Sequence, residues 1–288
     1  MTPMLTPIDD TNIGKALDLL AEGFAETRTR SFWERMLLRL DAFGGNKAAG
    51  VPIGFLINGD PDPVGVMITP ASLRPGRDGA APTKIINVAS SYVKPEHRWR
   101  TPMLMRAATR LKPDLLLDLT PTAKVQEMLA ALGYKPLNRG VGVNILPLTF
   151  AAGPWRGSVT ALKAAPPEAS APDVRAMLLA HEPYNCIAAA LRAGDAWAPL
   201  LFKVKPDGRG LRTAIPLYCP DTALLHANLS AVAGFLLRRG VATLRLDLPL
   251  EGTAPGVQRL GRDMKFAIGT PKPGVIDYAG TELALFDL

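Results

Sequence analysis

Six basic side chains, His97, Arg98, Arg100, Arg106, Arg110 and Lys112, fall in a stretch that no acid interrupts. They follow a strand-like segment, 84–93 (KIINVASSYV), and lead into a helical one, 102–111, which Thr101 can cap and whose first turn holds Pro102. A loop entering a helix presents unpaired backbone N–H groups at the positive end of the helix dipole. With arginines around it, such a junction suits a diphosphate. Arg98 and Arg100 are the candidate clamps, whereas Arg106 and Arg110, a helical turn apart, read as a polar face. Downstream, Asp118 closes the apolar run LLLDL at 115–119. Near the end of a strand in an α/β chain, it could take a proton through water or cap the next helix.

Other chemistries lack their residues. His97, His181 and His226 are far apart, and Cys186 and Cys219 sit in no CxxC or Cys/His spacing, so no metal is expected. No Gly-x-Ser-x-Gly elbow, phosphate-binding Gly-x-x-x-x-Gly-Lys loop or Gly-x-Gly-x-x-Gly run occurs. Only Trp99 lies amid the basic residues, so nucleic acid is not the expected partner. The 33 Lys and Arg against 26 Asp and Glu give +7, a bias toward anionic partners. With 48% hydrophobic and 20% charged residues the chain is a folded protein. Its apolar runs are too short for a membrane span and MTPMLTPIDD is not a secretory leader, so a cytoplasmic protein is expected.

The elements that must position these residues fall into two halves. A strand near Leu5–Ile8 precedes a helix with Ile13, Leu17, Leu20 and Phe24, then a second over 32–42 that Gly44 stops. A hairpin, 51–58 and 63–69, and a loop, 71–83, lead to strand 84–93. Helix 102–111, strand 115–119, helix 123–132 and strand 141–148 complete a mixed sheet covered by helices. Residues 151–172, with Pro154, Pro166, Pro167 and Pro172, read as a connection, which divides the chain into 1–150 and 151–288. Beyond it come a helix over 173–192, a hairpin at 199–205 and 211–217, a helix over 222–239, a strand at 241–248 and a closing pair near 264–269 and 282–287. LLLDLTP at 115–121 and LRLDLP at 244–249 place Asp118 and Asp247 alike, which hints at an internal duplication. His181, Glu182, Tyr184 and Asn185 form a polar group at Pro183 that could line a cleft between the halves or be a loop.

The run KIINVASSYVKPEHRWRTPMLMRAATRL at 84–111 resembles the acyl-CoA-binding motif of the GNAT superfamily (GCN5-related N-acetyltransferases). In that family a strand ending in Val-x-Pro precedes an Arg/Gln-x-x-Gly-x-Gly/Ala loop and a helix. The element order of 5–148 and MLAALGYKP at 128–136 are similar to the family too. The resemblance implies a tandem GNAT-like fold, α/β with mixed sheets, whose second unit is degenerate. It implies an acyl-CoA donor, acetyl-CoA or a longer one, held by Val88, Ala89, Ser90, Tyr92, Val93, Arg98, Trp99, Arg100, Thr101, Met103 and Leu104. The acceptor would be an amine on a small molecule or a protein, less readily a hydroxyl. Ser91 and Tyr92 then stand where acceptor and thioester meet, and Asp118 becomes the base. Two departures point to the alternative, an inactive scaffold that binds a partner or acidic metabolite. Thr101 and Met103 replace the small loop residues, and Leu129 stands where the family often has an acidic tyrosine.

Overall fold

A computed structural model describes residues 4–75, 81–154, 156–208 and 210–287. Two eight-stranded mixed sheets organise it, each flanked by helices. The first runs Leu5–Pro7, Gly54–Ile57, Gly65–Ile68, Thr83–Val93, Leu115–Asp118, Phe266–Ile268 and Lys135–Pro136, with Ala71–Arg74 also pairing the central strand Thr83–Val93. The second runs Val257–Leu260, Gly140–Ile145, Thr243–Asp247, Arg212–Cys219, Ala196–Pro206, Cys186–Ala193 and Ser158–Ala161, with Ile276–Asp277 on the end of Arg212–Cys219.

The first two helices form where apolar spacing predicts them. Ile13–Gly23 buries Ala16, Leu17, Leu19 and Leu20 on one face. Thr29 caps Arg30–Phe43 by accepting the Phe32 N–H, and Gly44, in the left-handed conformation, ends it. The buried stripe of this helix, Trp33, Met36 and Leu40, joins a core that runs on into the second half, where Trp33 meets Phe286 edge-on at 6.5 Å. On the opposite face of the first sheet a smaller core packs Leu104, Met105 and Leu129 against Ile86, Val88 and Leu116.

The two halves exchange strands. The strand expected at 141–148 to finish the first sheet is Gly140–Ile145, and it pairs instead with Thr243–Asp247 and Val257–Leu260 in the second. Gly140 and Gly142 permit this, because a Cβ at either would meet the backbone carbonyls of Arg259 or Pro255 at 2.2 and 2.6 Å. Its place in the first sheet is taken by Phe266–Ile268, antiparallel to both Leu115–Asp118 and Lys135–Pro136.

Other elements differ locally from the sequence reading. The helix expected over 173–192 ends at Leu179, and Cys186–Ala193 is a strand. Asn185 turns the chain at φ 57°, and the alanines then fit between two neighbouring strands, so ladder pairing overrides alanine's helix preference. The helix over 222–239 is broken at Asn228 into Thr222–Ala227 and Leu229–Leu237. Residues Glu282–Leu285, expected as strand, are helical. The loop read at 71–83 begins with the strand Ala71–Arg74, and its residues 76–80 lie outside the described set.

Candidate active site

The site grows from the central strand. Along one edge it pairs antiparallel, first with Ala71–Arg74 from Thr83 to Ile86, then with Gly65–Ile68 from Ala89 to Val93. The register shifts between those last pairs, and Ser90 sits at φ 45°. Along the other edge Leu115–Asp118 runs parallel only from Ile85↔Leu115 to Val88↔Asp118. Among the described residues no strand pairs with Ala89–Val93 on that edge. The two strands therefore separate at Val88 and Asp118, leaving a run of backbone groups able to bond an extended ligand.

The donor-site residues expected from the sequence do not all face this opening. Tyr92 packs on the first helix, where Gly23 leaves it room: a Cβ there would lie 2.2 Å from the ring. Its hydroxyl donates to Glu22 at 2.9 Å, and burial followed by that carboxylate raises its pKa. Val88, Ala89 and Val93 are buried in the sheet, and Ser90 and Ser91 are half-buried beside the gap.

The junction after Val93 departs from the expected loop. Residues Pro95–Arg100 form a 3-10 helix continuous with the α-helix Thr101–Arg110, and none of 95–103 has a positive φ. The His97 N–H bonds Lys94 O, and the Thr101 N–H and hydroxyl both bond Arg98 O. Amides that a loop would leave open are thus consumed, and Pro102 removes another. Thr101 and Met103 explain the winding, since neither takes the positive φ that glycine does. Arg100 is turned away, with Nη1 on Asn58 O at 3.0 Å and its guanidinium over the Trp99 ring at 5.0 Å. Arg98 and Trp99 project into solvent, Met103 is half-buried and Leu104 lies in the core.

Where the strands part, a polar cluster is buried. Asp118 accepts the Thr120 N–H, and burial lifts its pKa to about 7. The Thr120 hydroxyl donates to Glu282 Oε1 at 2.5 Å, so one residue holds both carboxyls. Glu282 is fully buried, and its pKa rises to about 8, chiefly by burial and further by Asp118. Asn87 adjoins it, and Asn87 Oδ1, Glu282 Oε2 and Tyr134 Oη are buried with no protein hydrogen-bond partner. Burial, then Asp118, pushes the Tyr134 phenol well up. Sequence reasoning found Asp118 alone. Thr120 was visible as the residue after LLLDL, but no signal ties Glu282, from the far end of the chain, to this strand.

The group at His181 is not a cleft lining. His181 is fully buried; its Nδ1 donates to Met177 O, its Nε2 accepts the Gly280 N–H, and its ring lies 4.9 Å from Phe43.

No family model and no curated protein matches the sequence. Solved structures do match the fold. A GCN5-related N-acetyltransferase from Anabaena variabilis superposes with a TM-score of 0.54 at 12% identity, over 91% of this chain and 71% of that one. A conserved protein of unknown function from Enterococcus faecalis gives 0.55 at 10% identity, with the same 91% and 71% coverage. A GCN5-related N-acetyltransferase from Kribbella flavida gives 0.50 at 16% identity, covering 91% of this chain and 70% of its own. The chain carries a tandem GNAT fold.

The two GNAT-like units differ at corresponding places. In the second, Arg212–Cys219 lies parallel to Thr243–Asp247 for only two residue pairs and then diverges, as the first unit's strands do. There Ile276–Asp277 occupies the gap, pairing with Cys219 and Tyr218, and the Tyr278 N–H bonds Leu217 O. Asp247, the counterpart of Asp118, is bound by the Lys265 ammonium, the Tyr278 hydroxyl and the Asn138 amide. Thus the second unit's gap is filled and its aspartate neutralised, while among the described residues the first unit's edge has no strand beside it and its aspartate has no cation bonded to it.

Proposed function

We propose that the chain transfers an acyl group from an acyl-CoA, acetyl-CoA or a longer one, to an amine on a small molecule or protein, using the first unit. The observation that carries this is the unpaired edge Ala89–Val93, which ends beside the buried carboxyl of Asp118. An extended thioester arm could bond that edge as a strand would, and a backbone N–H there could stabilise the carbonyl oxygen as charge develops. The acceptor ammonium gives a proton to Asp118 directly or through water. Its lone pair then forms the C–N bond, the C–S bond breaks, the nitrogen gives up its second proton to solvent, and the thiolate takes a proton from solvent. With the junction amides consumed, the donor's phosphates would fall to guanidinium groups, Arg98 foremost.

A second reading has its own support. The wound 3-10 junction and the buried Leu129, where the family often carries an acidic tyrosine, favour a scaffold that binds without turnover. Titration calorimetry with acetyl-CoA and longer acyl-CoAs, paired with a free-thiol assay over candidate amines, separates the two. Heat with thiol release supports transfer, and heat without release supports the scaffold. No heat with any acyl-CoA ends the donor assignment.

A further inference from the structure

The second unit is more than a brace, because its C-terminal helix Glu282–Leu285 reaches the first unit's opening. We infer that Glu282, supplied by the second unit, shares a proton with Asp118 and so sets the pH at which Asp118 can accept the proton of the acceptor amine. This rests on the acyl-transfer reading for the identity of the acceptor, but the proton sharing itself does not.

The geometry supports it from every element around the pair. Thr120 gives its backbone N–H to Asp118 and its hydroxyl to Glu282, fixing the two carboxyls to one residue. From the central strand, Asn87 adjoins Glu282 and acts on its carboxyl against burial, while Asn87 Oδ1 and Glu282 Oε2 are both buried without a hydrogen-bond partner. From the strand Ala196–Pro206, Lys205 acts on Glu282 as a cation, opposing burial. Tyr134 faces Asp118 and contributes no charge, since its phenol stays protonated. Two carboxyls this deep and this close cannot both ionise cheaply, so the first proton lost from the pair hinders the second. The contrast with Asp247 is informative: there Lys265 supplies a full counter-charge.

In this arrangement Glu282 is a positioning residue and Asp118 the one that meets the substrate. At rest the pair carries one proton. Taking the acceptor's proton onto Asp118 leaves the pair doubly protonated, and loss of one proton to solvent resets it.

The test uses the full chain with 13C-labelled Asp and Glu carboxyls. The Asp118 titration midpoint in the wild type should lie above that in Glu282→Gln by about one pH unit, and the acid limb of kcat/KM should move down with it. Thr120→Val, which releases the hydroxyl contact and keeps the volume, should move the Glu282 midpoint up and serves if Glu282→Gln fails to fold. An Asp118 midpoint that stays put in Glu282→Gln overturns the sharing, even if turnover is seen. A shifted midpoint in a chain that turns over no acyl-CoA keeps the sharing and removes the acyl-transfer reading.

Discussion

At the scale of single residues, buried titratable groups pull stability in opposite directions with pH. Asp118 and Glu282 have folded pKa values raised to about 7 and about 8, so the folded chain holds protons that the unfolded chain gives up near pH 4. Their contribution is present below that and is lost as pH rises through 7 to 8. His181 acts in the reverse sense. Burial lowers its pKa to about 4, and its neutral ring bridges Met177 and Gly280. Its contribution is present above the usual 6.5 and is lost as pH falls toward 4. Because two carboxyls outweigh one imidazole, urea midpoints should fall as pH rises from about 4 to about 8, and Glu282→Gln should flatten that fall, since glutamine mimics the neutral acid. A second prediction at this scale concerns Arg98, whose guanidinium lies in solvent beside the junction. Arg98→Ala should weaken acyl-CoA binding about tenfold, as loss of one charge-assisted contact implies, without changing the melting temperature. Calorimetry at two salt concentrations checks it. Asp118 was readable from the sequence because a lone acid in LLLDL stands out against apolar neighbours. Glu282 was not, because its environment is made only when a helix near the end of the chain folds against a strand in its first half.

At the scale of elements, the stretch 94–111 decides whether the donor is gripped tightly. Val-x-Pro, the basic run and the helix were all legible in order, and the central strand runs from Thr83 to Val93 much as the pattern 84–93 indicates. The winding of the junction was not legible, although its cause was in plain sight: Thr101 and Met103 cannot adopt the backbone that an open cradle requires. Replacing them should restore it. Thr101→Gly with Met103→Ala should tighten acyl-CoA binding about tenfold by freeing amides for phosphate. The glycine should also cost about 1 kcal/mol of helix stability. Calorimetry and a thermal melt on the same sample measure both effects. Unchanged affinity would mean that the unpaired strand edge and Arg98 do all the holding. The misread strand Cys186–Ala193 carries a related lesson. Its alanines suit a helix taken alone, and only the strands on either side, Ser158–Ala161 and Ala196–Pro206, decide otherwise.

At the scale of the whole molecule, the two units are bound by exchanged strands and by buried polar links, so neither half of the sequence contains a complete sheet. The element order and the LLLDL/LRLDL echo foretold a repeat, but local patterns carry no information about which sheet a strand joins. Phe266–Ile268 lies inside the first sheet and Gly140–Ile145 inside the second. Arg74, nearly buried, places Nε 2.8 Å from both carboxylate oxygens of Asp277 and bonds Ala279 O, tying the first sheet to the segment that fills the second unit's gap. Removing one partner of such a pair strands a buried charge, so Arg74→Ala should cost about 3 kcal/mol or more. If the links act as described, urea unfolding followed by tryptophan fluorescence and by circular dichroism should coincide in one transition, in the variant as in the wild type. Two separated transitions would mean that each unit keeps its own stability despite the exchange. The same filled gap predicts binding stoichiometry. Ile276–Asp277 occupies in the second unit the edge that an acyl-CoA arm would need, so calorimetry should count one donor per chain, and two would show that this segment can leave its strand.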